Sequence, residues 1–345
     1  MRRIGVVLLL LCFVVPQAFA DGKRRSTLPG RGNCTYGVLD KNIAISAIAM
    51  DTTHIYYVDD FLSTVYRMPK NGGPRTKLAE LATSFVDAVG ITDMIVDDTN
   101  VYLATLPFST GDILPPGDLY AIPKNGGTLR TIANGVVFVA QLAADATHVY
   151  WVSVGTVNVR SGQVLSDGKV ERVRKDGSSR ETLANGLSAP LSIVVDDASV
   201  YFAEAGVAVG NTSSGLRRVA KGGGTVVHVS DAYFIAYMTE AGNDLVLYGG
   251  NDETGGIMRI PKTGGTAQLL ASEEFVESAP RVSDRYVYYL TFPPSAETDS
   301  LMRVPLAGGT PELIRFADSA EGEFEVDECG VYIGTIDGKL VKGPR

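Results

Sequence analysis

Val149-Tyr150-Trp151-Val152, together with six stretches like it, decides the fold of this chain. The others are Ile55-Tyr56-Tyr57-Val58, Val101-Tyr102-Leu103-Ala104, Val200-Tyr201-Phe202-Ala203, a degenerate copy read at Leu247-Tyr248, Val287-Tyr288-Tyr289-Leu290 and Val331-Tyr332-Ile333-Gly334. Successive copies start 46, 48, 51, 47, 40 and 44 residues apart. Strand-forming residues at a period near 45 mark a radial array of four-stranded sheets, so the chain is expected to be an all-β, seven-bladed β-propeller. Each copy is apolar throughout, without polar alternation. That pattern suits a strand covered on both faces, as a blade is by its two neighbours.

Around each core the other strands can be placed. Pro190–Val195, ending at Asp196, reads as an inner strand; 200–203 is the second, 216–219 the third and 225–229 the outer one. The third strands end in a repeated phrase: Met68-Pro69-Lys70, Ile122-Pro123-Lys124, Val173-Arg174-Lys175, Val219-Ala220-Lys221, Ile260-Pro261-Lys262 and Val304-Pro305-Leu306. Glycine-rich hairpin signals such as Asn71-Gly72-Gly73 and Asp176-Gly177 follow, supplying the positive φ that tight turns require. After the last core the sequence begins a third strand at 339–345 and stops, whereas 35–41 precedes the first inner strand where an outer strand belongs. The N-terminal strand is therefore expected to complete the last blade and hide an open edge.

The stretch Val149-Tyr150-Trp151 through Lys175-Asp176-Gly177-Ser178-Ser179-Arg180-Glu181-Thr182-Leu183 resembles the YWTD-type propeller repeat, and is similar to the TolB-like repeats of exported bacterial proteins. Tryptophan occurs in one copy only, and there are seven copies where YWTD propellers have six. The resemblance covers nearly the whole chain after its first residues. It implies a binding or scaffolding module and names no ligand.

The first 20 residues read as a signal peptide: Arg2 and Arg3, the apolar run 4–15, and an Ala18-Phe19-Ala20 cleavage site. Residues 21–33 read as a flexible leader and 34–345 as the propeller, placing the protein in the periplasm or outside the cell. Twelve apolar residues are too few to span a bilayer. The formal charge is −8, so an anionic nucleic acid or membrane surface is not an expected partner. In an exported chain Cys34 and Cys329 are expected to form one disulfide.

Aspartates preceding the second strands (Asp51, Asp97, Asp145, Asp196, Asp327) recur in turn context and are read as turn formers. The third-strand basic column (Arg67, Arg172, Arg218, Arg259, Arg303, Lys342) is read as structural. His54 and His148 share one repeat position, His228 stands alone, and no Gly-x-Ser-x-Gly elbow is present, so no cofactor, metal or nucleophile triad is assigned. Function is placed instead where the repeat varies. The long second-to-third connections, such as 105–117 and 153–169, share one face opposite the short hairpins. They are expected to be solvated and to add little to stability. Candidate contacts there are Phe108, Asp112, Asp118, Arg160, Asp167, Glu204, Asp252 and Glu297. At the mouth of the central tunnel, Asp93, Gln141, Ser192, Arg281 and Glu323 interrupt apolar inner strands. The expected function is that of a monomeric, non-enzymatic binding or scaffold propeller for a protein, peptide or glycan. The alternative is a hydrolase or lyase with a metal or acid/base site at the tunnel mouth, the metal held by Asp93 and Glu323.

Overall fold

A computed structural model describes residues 36–60, 64–81, 89–107, 111–208, 213–230, 234–250, 255–273, 275–283, 285–292, 299–314 and 320–345. Cys34 lies outside them; Cys329 sits in the turn after Asp327, to which its backbone N–H donates. Among the described residues there is no helix, and seven four-stranded sheets stand in sequence order. The first runs Ile45–Met50, His54–Asp59, Thr64–Pro69, Thr76–Glu80. The next five have inner strands Val89–Val96, Val139–Ala144, Pro190–Val195, Phe234–Ala241 and Arg281–Ser283. The seventh is built from Ala320–Asp327, Gly330–Thr335, Lys339–Gly343 and, at its outer edge, Gly37–Lys41. Each inner strand packs against the next, and Ala320–Asp327 packs back on Ile45–Met50, so the sheets form a ring.

The first and last sheets are tied by one residue of the outermost strand. Gly37 lies opposite Lys342 and Lys41 opposite Lys339. Asp40 accepts hydrogen bonds from the hydroxyl of buried Tyr57, in the first sheet, and, at 3.1 Å, from Arg75 Nη1, just before that sheet's outer strand.

The absence of alternation in the repeated core has a direct cause. Tyr56 and Val58 of the first sheet pack with Val101 and Leu103 of the second; Tyr102 and Ala104 point the other way, onto Val149 and Trp151 of the third. Each second strand thus lends alternate residues to two inter-sheet cores and has no wet face. The degenerate fifth copy is set two residues earlier than its aromatic suggested. Leu245 opposes Glu240 as Val200 opposes Val195, so the copy is Leu245-Val246-Leu247-Tyr248 with its tyrosine displaced to the end.

The repeated aspartates do form turns, and they do more. Asp145 Oδ1 accepts the N–H groups of Thr147 and His148, each at 2.8 Å, while Oδ2 accepts the Tyr150 hydroxyl at 2.8 Å. The same Oδ2 meets Lys221 Nζ, which comes from the end of the next sheet's third strand and lies 5.9 Å from the Tyr150 ring centroid. Equivalent pairs are Lys124–Asp51, Lys175–Asp97, Lys262–Asp196 and Lys70–Asp327. Each lysine therefore staples its sheet to the preceding one, across the ring's start in the last case. Between the fifth and sixth sheets all three positions change together. Ala241, Val246 and Leu306 replace aspartate, tyrosine and lysine, and they pack in one apolar cluster. Replacing a whole ionic set by packed apolar groups avoids leaving a charge unpaired.

These pairs predict acid sensitivity. Lys221, the turn N–H groups and Tyr150 hold Asp145 well below the ordinary carboxylate value of 3.8 in spite of its burial. Lys175 and its turn likewise bring Asp97 down to about 2, against the opposing effect of burial. A depressed carboxylate stabilises the fold above its unfolded pKa, and that contribution is lost as pH falls through the folded value. Asp145→Asn is expected to lower stability at pH 7 by about 2 kcal/mol, the scale of hydrogen bonds to a charged group. Denaturant titrations should show the gap to the parent closing below about pH 4. A gap that stays constant down to pH 2 contradicts the ionic role.

Candidate functional site

In sheets one to five the inner strand carries an irregularity at one position, just before Ala47, Asp93, Gln141, Ser192 and Tyr237. A bulge re-aims the side chain that follows it. Here Asp93 and Gln141 reach the next inner strand. Asp93 Oδ2 accepts the Leu142 N–H at 2.6 Å and its Oδ1 accepts the Met94 N–H at 2.8 Å. Gln141 Oε1 accepts the Ser192 hydroxyl at 2.6 Å and the Ile193 N–H at 2.8 Å. Three of the tunnel-mouth residues therefore bridge neighbouring blades.

The remaining two meet on the opposite wall. Arg281 Nε donates to Glu325 at 3.2 Å, its Nη2 lies 3.5 Å from Glu323, and its Nη1 donates to the Ala279 carbonyl at 3.0 Å. Glu325 was missed in the sequence reading. Its signal was the spacing Glu323-Phe324-Glu325, which puts both carboxylates on one strand face with Phe324 buried between them. Burial pushes Asp93 up to about 6, against its two N–H partners and Arg281. Glu323 and Glu325 are raised by burial too, Arg281 opposing. Arg281 is held protonated by Glu325, Glu323 and Asp93, which outweigh its own burial. Glu323 and Glu325 thus hold one guanidinium inside the ring, and Asp93 acts on it electrostatically. Among the described residues no group of three or more His, Cys, Asp or Glu side chains is arranged to hold a metal. His54 and His148 each contact the threonine of their own turn.

On the long-loop face, Phe108, Asp252 and Glu297 lie outside the described residues. Asp118 accepts the Gly135 N–H at 3.1 Å and the Tyr120 hydroxyl at 3.2 Å within its own sheet. Glu204 is buried, taking the Ser188 N–H at 2.8 Å and Arg217 Nε at 2.5 Å. Asp167 anchors a loop by accepting the N–H and hydroxyl of Thr156, both at 2.7 Å. Asp112 and Arg160 pair at 3.0 Å and remain exposed.

The expectation that these loops are solvated and dispensable fails for 153–169. Val154, Val157 and Val164 are at most 3% exposed and pack with Leu106, Phe138, Ala189 and Leu191. Val157–Asn158 and Gln163–Val164 form a small hairpin. The second sheet's loop adds a third edge. Leu114 N–H donates to the Val157 carbonyl at 3.1 Å, and Val159 N–H to the Asp112 carbonyl at 2.7 Å. This platform buries valines beneath and leaves Ile113, Val159 and Leu165 exposed above. Strands of two residues fall below any window in which periodicity can be read, which is why the sequence showed only a loop.

No family model and no curated protein matches the sequence. Among solved structures, YCF48 bound to D1 peptide is 10% identical with a TM-score of 0.59, covering 92% of this chain and 100% of that one. The tricorn protease is 14% identical with a TM-score of 0.50, covering 82% of this chain and 27% of that one. TolB from Acinetobacter baumannii is 13% identical with a TM-score of 0.47, covering 81% of this chain and 60% of that one. At such identities a likeness is one of fold. The chain is a β-propeller of seven blades, the architecture that its YWTD-like and TolB-like repeats resemble.

Proposed function

We propose that this is an exported, non-enzymatic binding propeller whose long-loop face receives a protein or peptide. The observation that carries the reading is the platform: exposed aliphatic side chains, Ile113, Val159 and Leu165, beside an exposed Asp112–Arg160 pair, all held on a packed base. Apolar groups on a rigid support bury area on binding with little ordering cost. An aliphatic surface suits a polypeptide better than a sugar. The solved propeller that matches 92% of this chain holds a peptide. Export is supported by the signal-like first 20 residues.

Panning a random-peptide phage library against the immobilised protein tests this. Enriched peptides should bind with micromolar affinity, and Ile113→Asp with Leu165→Asp should weaken them at least 10-fold with the melting temperature unchanged. Peptides indifferent to both substitutions overturn the reading. The hydrolase or lyase alternative draws on the convergence of Asp93, Arg281, Glu323 and Glu325. Against it, both Asp93 oxygens already hold backbone N–H groups. Turnover of ester or glycoside substrates that disappears in Glu323→Gln is the result that would favour it.

A further inference from the structure

We propose that the segment bound on the long-loop face is cationic, and that one lysine or arginine side chain on it enters the central channel to pair with Glu323. This rests on the reading of that face as a peptide surface and adds the chemistry of the partner.

The charges inside the ring do not balance. Glu323 and Glu325 share the guanidinium of Arg281, which Asp93 also feels, and Lys70 acts on Glu325 at longer range. The three carboxylates are not equally committed. Asp93 has a backbone N–H on each oxygen, and Glu325 holds Arg281 Nε at 3.2 Å. Glu323 has only Arg281 Nη2, at 3.5 Å, and makes no hydrogen bond among the described residues, while its side chain stays 39% exposed. It is the carboxylate with room for another donor. Beside this cluster Ser278 Oγ is buried without a hydrogen-bond partner, just before Ala279, whose carbonyl holds Arg281.

Topology puts Glu323 on the right side. Inner strands begin at the long-loop face and end at the aspartate turns. Glu323 lies in the first half of Ala320–Asp327, whose last residue is the turn aspartate. Asp60 follows the second strand of the first sheet at that same face, where its carboxylate takes the Ser46 hydroxyl at 2.5 Å. The aspartates at the far face are neutralised by their lysines. Glu323 is thus an incompletely paired carboxylate at the long-loop end of the channel, in a chain of formal charge −8. A cleft of one sign focuses field and draws in the opposite charge. The apolar platform supplies the neighbouring contacts for an aliphatic side chain on the same segment.

The test uses three fluorescently labelled, end-capped pentapeptides that alternate leucine with lysine, glutamine or glutamate, titrated by anisotropy against the full mature protein. The lysine peptide should bind at least 10-fold tighter than the glutamine one, and the glutamate peptide should not bind. Glu323→Gln should remove the lysine preference and leave the glutamine peptide unchanged, with the melting temperature as the check on folding. Ile113→Asp with Leu165→Asp should weaken the lysine and glutamine peptides together. Equal binding of the lysine and glutamine peptides, or a lysine preference that survives Glu323→Gln, overturns the cationic pairing while the platform reading stands. Failure of all three peptides overturns the pairing as well, and the phage-derived peptides then decide the platform separately. A lysine preference that survives Ile113→Asp with Leu165→Asp undiminished sinks the platform and leaves the channel.

Discussion

Removing Gly37–Lys41 is expected to lower stability by about 5 kcal/mol and to make the protein aggregate. The strand is the outer edge of the seventh sheet, and without it Lys339–Gly343 becomes an exposed edge ready to pair with another chain. Leu39, packed against Ile43, Tyr57 and Leu340, would be lost, and fully burying such a side chain stabilises by about 1.5–3 kcal/mol. Tyr57 would lose the Asp40 carboxylate, leaving a buried hydroxyl whose charged partner contributed about 1.5–3 kcal/mol. For a chain of this size that corresponds to a fall in melting temperature on the order of 8 °C. Scanning calorimetry with light scattering reads both effects. A truncated protein that melts with the parent and stays monomeric would show that the ring holds without this strand.

Replacing 154–167 by a short turn should also cost about 5 kcal/mol. Three valines that are at most 3% exposed would be removed from a shared cluster, uncovering Leu106, Phe138 and Leu191. A solvated loop of the same length would be shortened at almost no cost, because closure entropy changes slowly with length. The two views differ by several degrees in melting temperature, and Trp151, the one tryptophan and fully buried, reports the transition. A change under about 2 °C would restore the dispensable-loop view.

The repeat made the architecture legible because each blade has to solve the same problem. A strand buried between two neighbours must be apolar throughout, and a hairpin at positive φ must have glycine, as at Gly72, Gly126, Gly177, Gly223, Gly264 and Gly308. The aspartate column was readable as turn chemistry for the same local reason. Its lysine partners directly follow five of the third strands, at Lys70, Lys124, Lys175, Lys221 and Lys262, yet they act one blade away. The joint replacement at Ala241, Val246 and Leu306 was the signal that the three positions form one unit. The displaced tyrosine of the fifth copy, Tyr248, hides that unit in the sequence.

The candidate site was only partly legible. Asp93, Gln141, Ser192, Arg281 and Glu323 stood out as polar interruptions of apolar strands. Sequence could not say that the first three use their side chains to bridge blades, or that the last two meet each other. Local chemistry by itself determined the strands, the turns, their number and their order, since these depend on neighbours within a few residues. The pairing of Arg281 with Glu323 and Glu325, the Asp–Lys staples and the platform joining Asp112 to Val159 were decided only by tertiary structure. Each joins residues from different blades, and which side chains converge there depends on the curvature and closure of the whole ring.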